Sequence, residues 1–146
     1  MIISIAGIAD VPALLLFSER LHETTPYQML GFSKSKVSKA LLDAIQGDPK
    51  RGIVLVAKRE GRAVGTIGAT VIEPHYSTDK VAAEWLWWVN KDESPRLLFK
   101  LLEGLEYWAK HVAGCKALMI GKINTKPTSF LKRGYTTTEA TLIKEL

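Results

Sequence analysis

The sequence predicts an α/β fold of the α+β kind, in which helices flank a mixed, mostly antiparallel central sheet in the order βααβββαβαβ. Residues 83–89, AEWLWWV, form an apolar run that is typical of a strand covered on both faces. Residues 53–73 contain two β-rich runs around a short turn with a glycine, which indicates a hairpin. Residues 96–112 repeat leucine at helical spacing, and a strand that continues into such a helix and returns to a strand implies a mixed sheet.

Each predicted element has a local signal. Ser94 followed by Pro95 is typical of a helix start, whereas Gly65 and Gly68 inside a strand indicate a bulge or close packing. On the polar side of the long helix, Glu106 and Lys110 are expected to form an i,i+4 pair. The predicted elements are a strand at 2–6, a helix from Asp10 to about His22, a helix from Ser33 or Ser35 to Gln46, hairpin strands at 53–58 and 64–73, the central strand at 83–89, the long helix from 94–95 to Gly114, a strand at 117–123, a short helix at 127–133 and a final strand or hairpin at 135–146.

Length and composition limit the class of protein. A chain of 146 residues with 47% apolar content can build one core, so we expect a single domain over residues 1–146. The lone cysteine, Cys115, excludes an intramolecular disulfide and a zinc cluster, and it fits a reducing compartment. The apolar N-terminal run lacks a basic n-region, and no run is long enough to cross a bilayer. We therefore expect a cytoplasmic protein with no metal site and no membrane partner.

The net charge of +5 favours anionic ligands, whether a phosphorylated cofactor, a nucleic acid or an acidic protein. The densest basic group, Lys34, Lys36 and Lys39, is typical of the solvent face of a helix. The chain has no concentrated basic stripe with interleaved aromatic residues, and this counts against nucleic-acid binding.

A candidate anion site lies between the central strand and the long helix. The polar residues 90–93 lead to Ser94 and Pro95, where the helix is expected to start. Free amides at the N-terminus of a helix, at the positive end of its dipole, bind anions.

The order of elements, the strand AEWLWWV at 83–89 and the motif FLKRGY at 130–135 resemble the GNAT superfamily of N-acetyltransferases. The resemblance covers essentially the whole chain. It looks closest to small members carried by phages and prophages, which combine a WWV strand, a helix reading LLxxxExWA and a tail like RGYxxxExxxxKEL. These motifs correspond here to residues 87–89, 101–109 and 133–146.

The resemblance implies acetyl-CoA as cofactor and a primary amine as acceptor, with direct attack in a ternary complex. In the family, the coenzyme lies between the strands that correspond to 83–89 and 117–123, and its pyrophosphate rests on amides at the start of the long helix. The coenzyme-binding residues implied here are Trp87, Trp88, Val89, Ser94, Arg96, Leu97, Asn124 and Phe130.

Two positions depart from the family pattern. The phosphate loop usually carries arginine or glutamine followed by glycines, but residues 91–98 contain no glycine, and Asp92 and Glu93 would repel phosphate. Ser94 and Arg96 could partly compensate. Phe130 stands four residues before a glycine, where the family usually has a tyrosine that protonates the leaving thiolate, so this chain lacks that hydroxyl.

Acetyl transfer requires a neutral amine, so a base that takes the amine proton accelerates the reaction. Glu84 is the candidate base, because it is the one charge in an apolar strand and matches the position of the strand glutamate that acts as base in some family members. The alternative is a solvated glutamate at a strand end. His22, Tyr27 and Tyr76 are candidate substrate-binding residues, although a lone loop histidine is more often an ordinary surface residue.

Three functions remain open at this point. The first is an N-acetyltransferase acting on a protein or small-molecule amine, in a bacterial or phage-infected host cytoplasm. The second is a GNAT-fold binding protein without turnover, acting on a host or virion protein, which the missing glycines and Phe130 favour. The third is a nucleic-acid or ribosome-associated module, favoured by net charge alone. A homodimer is also left open.

Overall fold

The computed structural model describes residues 1–121 and 127–146, in which a five-stranded sheet is flanked by helices. Its elements are β1 (Ile2–Ile5), a 3₁₀ turn (Ile8–Asp10), α1 (Val11–Glu23), a second 3₁₀ turn (Pro26–Met29), α2 (Lys34–Gln46), β2 (Gly52–Arg59), β3 (Arg62–Ile72), β4 (Val81–Val89), α3 (Arg96–His111), β5 (Ala117–Met119) and α4 (Pro127–Leu131). Among the described residues, no helix is both long enough and apolar enough to span a membrane.

The strands lie in the order β1-β2-β3-β4-β5. Each neighbouring pair from β1 to β4 is antiparallel, whereas β4 and β5 are parallel, with α3 as the connection between them. The predicted mixed, mostly antiparallel sheet is therefore confirmed.

The sheet carries apolar side chains on both faces. In β2, Ile53 and Leu55 pack in the core cluster beneath α3, whereas Val54 and Val56 pack in a second cluster with residues of α1 and α2. Helix α3 contributes Leu101, Leu102 and Leu105 to the first cluster, each with no exposed surface. Burial on both faces explains why the central strands are almost continuously apolar.

A bulge in β4 reverses the direction of its side chains. Gly68 of β3 pairs with Leu86 and Ala69 pairs with Glu84, so Trp85 has no partner in the register. Ala82 packs on the α3 side, but Leu86, four residues later, packs on the α1 and α2 side. An extra residue in the strand accounts for this change of face. The irregularity expected from Gly68 is confirmed.

The last predicted strand is wrong, since the structure has no strand in residues 135–146. The threonine-rich run has high β-propensity, but such propensity depends on a neighbouring strand, and β5 is only three residues long. The strand expected at 117–123 is correspondingly shorter. Ile120 and Gly121 follow it without strand structure, and 122–123 lie outside the described residues.

Two smaller expectations also change. His22 lies in the last turn of α1 rather than in the following link. Glu106 accepts a hydrogen bond from the Tyr135 hydroxyl at 2.8 Å and forms no ion pair with Lys110 among the described contacts. A partner from a distant part of the chain replaces the local one.

Candidate active site

A cleft of about 1060 Å³ lies on the side of the sheet where β4 and β5 meet. Its walls come from the end of α1, the link between α1 and α2, the middle of β4, β5, α4 and the C-terminal residues after α4. Glu84, His22, Tyr27 and Phe130 all line this one cleft. Four of the residues predicted from the sequence are thus brought together.

The cleft begins where β4 and β5 separate. The parallel ladder runs from Val81 paired with Ala117 to Ala83 paired with Met119, and β5 ends there. Strand β4 continues to Val89, still paired with β3 along its other edge. From Glu84 onward, the edge of β4 that faced β5 therefore has no strand partner among the described residues. An unpaired strand edge can form backbone hydrogen bonds with an extended ligand.

Glu84 is the first residue of β4 beyond this fork. Its Oε2 accepts a hydrogen bond from the backbone N–H of Gly121 at 2.9 Å. Burial raises the pKa of Glu84 from its ordinary value of 4.5 to about 7, and the Gly121 hydrogen bond acts in the opposite, weaker direction. A carboxylate that titrates near neutral pH is well suited to accept a proton.

The start of α3 is capped locally. The helix begins at Arg96, one residue later than the sequence indicated, and Ser94 Oγ accepts from the Arg96 amide at 3.3 Å. The amides of Leu97 and Leu98 donate to the carbonyl oxygens of Ser94 and Pro95. The first-turn amides therefore already have acceptors, and the exposed guanidinium of Arg96 is the more accessible anion-binding group here.

An ion pair that sequence reasoning missed neutralises one acid of this loop. Arg59 donates two hydrogen bonds to Glu93, from Nε to Oε1 at 3.1 Å and from Nη2 to Oε2 at 2.9 Å. The Glu93 side chain is only 7% exposed, and the hydrogen bond and charge of Arg59 lower its pKa. Strands β2 and β3 are joined by a turn at Glu60 and Gly61, both of which have a positive φ. This end of the hairpin lies beside the loop after β4, because the Asn90 amide donates a hydrogen bond to the Val64 carbonyl.

Phe130 forms part of the wall of the cleft but is buried, with 7% of its surface exposed. Its ring packs edge-on against Trp87 at 6.0 Å between centroids, and it lies 5.8 Å from Phe99. Trp87 is also buried, and its Nε1 has no hydrogen-bond partner among the described residues. The Phe130 and Trp87 side chains themselves therefore provide no titratable group to donate a proton.

Contacts with α3 hold the segment after α4 in place. The Arg133 guanidinium lies 4.1 Å from the centre of the Phe99 ring and forms an ion pair with Glu103 at 3.2 Å. Burial, followed by the hydrogen bond to Glu106, raises the pKa of Tyr135 well above its usual value. These contacts fix the wall that contains Phe130.

The remaining predicted residues lie elsewhere. Trp88 Nε1 donates to Asn90 Oδ1 at 3.0 Å, and Val89 packs against the α3 side of the core. Tyr76 is 92% exposed in the turn between β3 and β4, and it is not among the described residues that line the cleft. Asn124 lies outside the described residues.

Residues 18–135 match the Acetyltransferase (GNAT) family. The matched segment spans most of the sequence, so the chain belongs to this family of acetyltransferases, which use acetyl-CoA as co-substrate. No curated protein sequence matches the chain.

Solved structures show the same fold at low sequence identity. Glucosamine-6-phosphate N-acetyltransferase from Arabidopsis thaliana is 14% identical, with a TM-score of 0.75 over 99% of this chain and 97% of that one. A possible acetyltransferase from Clostridium difficile 630 is 11% identical, with a TM-score of 0.73 over 99% and 96%. An aminoglycoside acetyltransferase from an uncultured soil metagenomic sample, in complex with sisomicin, is 16% identical, with a TM-score of 0.63 over 99% and 93%.

The raised pKa of Glu84 predicts a pH-dependent stability. Between pH 4.5 and 7 the unfolded chain ionises this carboxyl while the folded chain keeps it protonated. Its contribution to stability is therefore complete below pH 4.5 and is lost as the pH rises through 7, a change of about 3 kcal/mol. Glu84→Gln removes this dependence. The difference in the free energy of unfolding, variant minus parent, should therefore rise between pH 5 and pH 8 in urea titrations, because only the parent loses this contribution. The exposed control Glu73→Gln should leave the parent's pH dependence unchanged, and a flat difference for Glu84→Gln would contradict the burial argument.

Proposed function

We propose that this chain transfers the acetyl group of acetyl-CoA to a primary amine by direct attack in a ternary complex, with Glu84 as the base. One observation carries the proposal. A carboxyl group with a pKa of about 7 lies at the fork of β4 and β5, in the wall of a cleft large enough for a small acceptor.

The proposed base is already oriented. The Gly121 amide holds Oε2 at 2.9 Å, so Oε1 is the oxygen that would take the amine proton, directly or through one water molecule. Because the site is partly buried, it favours the neutral carboxylic acid that forms when the proton arrives. Near pH 7 a substantial fraction of Glu84 is nevertheless ionised and ready to accept it.

Acetyl-CoA, when bound, would supply a thioester carbonyl for attack and a thiolate leaving group. We propose that the free edge of β4 pairs with its amide-containing arm, because that edge has no strand partner beyond Ala83 among the described residues. The residues we assign to the coenzyme are those expected from the sequence, namely Trp87, Trp88, Val89, Ser94, Arg96, Leu97, Asn124 and Phe130. Of these, Arg96 would hold a phosphate through its guanidinium.

A second candidate is a GNAT-fold binding protein without turnover. The observation in its favour is Phe130, a buried ring without a proton to donate at the position where the family usually has a tyrosine. Unlike the first candidate, it predicts that the chain binds the coenzyme but forms no acetylated amine.

We further propose that residues 1–146 act as one domain in a bacterial or phage-infected host cytoplasm. Two observations support this: Cys115 is a free thiol, which suits a reducing compartment, and residues 87–89 and 133–146 resemble phage-type members. His22 and Tyr27 are proposed to contact the acceptor, since they line the same cleft as Glu84.

Glu84→Gln should lower kcat/KM for acetyl transfer by about 100- to 10,000-fold, because it removes the base while keeping the shape and the Gly121 contact. In the parent, the rate should rise with pH through about 7, and the variant should lose this rise. Product mass spectrometry across pH 5–9 measures both. The Kd of coenzyme A should stay unchanged by calorimetry. An unchanged pH profile in the variant would exclude Glu84 as the base, and binding without product in the parent would favour the second candidate.

Arg59→Gln should raise the Kd of coenzyme A by about 2- to 5-fold, because it leaves Glu93 unpaired beside the proposed phosphate site. The double variant Arg59→Gln with Glu93→Gln should recover the parent Kd. Arg62→Gln is the matched control, since it removes the same charge from the paired strand of the hairpin. Calorimetry at low and high salt measures these values. Equal effects of Arg59→Gln and Arg62→Gln would show that net charge alone matters and that the ion pair does not.

A further inference from the structure

The cleft contains few charges. Among the described residues, the ionisable groups on its walls other than tyrosine are His22, Lys36, Glu84 and Glu139. Glu84 has a pKa of about 7, so it is only partly ionised at neutral pH, and Glu139 is the one other acidic residue among the described residues that line the cleft. The described residues therefore place two acidic groups on the cleft, and one of them is the proposed base.

The hydroxyl groups of one wall are already used as donors. Ser18, Thr24 and Thr25 donate to backbone carbonyl oxygens at the end of α1, at 2.8, 2.8 and 3.1 Å. His22 packs its ring against Phe32, with 5.4 Å between centroids. The donors of these three hydroxyls are therefore engaged, and the apolar part of this wall comes from Leu21 and Phe32.

The rim of the cleft exposes large apolar side chains. The exposed fractions are 50% for Tyr27, 55% for Leu30, 47% for Met119, 53% for Leu131 and 43% for Ile143. They come from the α1–α2 link, β5, α4 and the C-terminal residues, so distant parts of the chain converge on one apolar surface. A cluster of this kind is typical of a surface that a ligand covers.

We propose that the acceptor is a monoamine, in which a single primary amine is joined to an apolar or aromatic body. This inference rests on the proposed function and names the class of substrate for the same cleft. The amine would approach Glu84, and the apolar body would cover the rim residues. The same chemistry occurs in a free arylalkylamine and in a peptide with an apolar N-terminal residue.

Charge and desolvation explain the expected selectivity. A polyamine would bring further ammonium groups into a cleft where, among the described residues, Glu139 is the only carboxylate beyond the proposed base. Unpaired ammonium groups that leave water are strongly unfavourable. A small hydrophilic monoamine avoids this cost but leaves the apolar rim exposed, so it gains little on binding.

The test compares four acceptors with the full chain and acetyl-CoA: 2-phenylethylamine, a peptide amide beginning with phenylalanine, ethanolamine and spermidine. We expect kcat/KM for at least one of the first two to exceed that for the last two by about 10-fold or more. Whichever of the two apolar acceptors reacts faster shows whether the natural acceptor is a free arylalkylamine or a peptide N-terminus. Equal or faster acetylation of spermidine or ethanolamine would overturn the inference and leave the proposed acetyl transfer intact.

A second measurement separates this inference from the proposed function. If no amine is acetylated, calorimetric titration of the same four compounds in the presence of coenzyme A still tests the binding class. Tighter binding of 2-phenylethylamine or the peptide than of spermidine supports the inference, and the reverse order contradicts it.

Leu30 allows a matched charge test, because it lies on the rim, is 55% exposed and tolerates a polar side chain sterically. Leu30→Glu should raise the ratio of spermidine to 2-phenylethylamine kcat/KM by about 5-fold or more over Leu30→Gln, which has the same shape without the charge. Equal ratios in the two variants would show that charge in the cleft does not select the acceptor.

Discussion

The separation of β4 and β5 just beyond Ala83 and Met119 determines where everything else in the cleft can lie. While the strands are paired, the backbone groups on that edge of β4 are occupied. Beyond the end of β5, the Gly121 amide no longer pairs with the backbone of β4. It donates a hydrogen bond to the Glu84 carboxylate instead. The same carboxylate is consequently held at the open end of the fork and partly removed from water, which raises its pKa to about 7. Position and acidity thus have a common structural cause.

The bulge at Trp85 completes this arrangement. Without the extra residue, Leu86 would lie on the same face as Ala82, beneath α3. With it, Trp85 and Leu86 pack toward α1 and α2 and line the cleft together with the end of α1. The opposite wall depends on α3, which holds the segment after α4 through ring, charge and hydrogen-bond contacts. The cleft is therefore lined by residues from both faces of the sheet.

The features that follow from local pattern could be predicted from the sequence. Burial on both faces predicted β4. Its single charge made Glu84 the candidate base, because a charged carboxylate in an apolar strand is costly unless it is compensated, and that role stays a prediction. Gly65 and Gly68 indicated the irregular pairing of β3, although not which residue of β4 would be extra. The family resemblance then supplied the coenzyme, which spacing and composition alone could not.

The features that failed or were missed depend on contacts between distant residues. Arg59 and Glu93 are separated by 34 positions, and nothing local to either residue indicates that the hairpin end reaches the loop. Glu106 has a plausible local partner in Lys110, yet Tyr135 occupies its acceptor oxygen. The threonines after Tyr135 have strand propensity, but they pair with no strand in the structure and line the cleft instead.

The most direct test of the account is the titration of Glu84 itself. Carbon-13 NMR of the side-chain carboxyl carbons, with Glu84→Gln used to assign the signal, measures its pKa in the folded protein. The account predicts a titration near pH 7, and a signal that shifts when coenzyme A is added at the fork. A Glu84 signal that titrates near 4.5, the ordinary value for glutamate, and ignores coenzyme A would contradict the account.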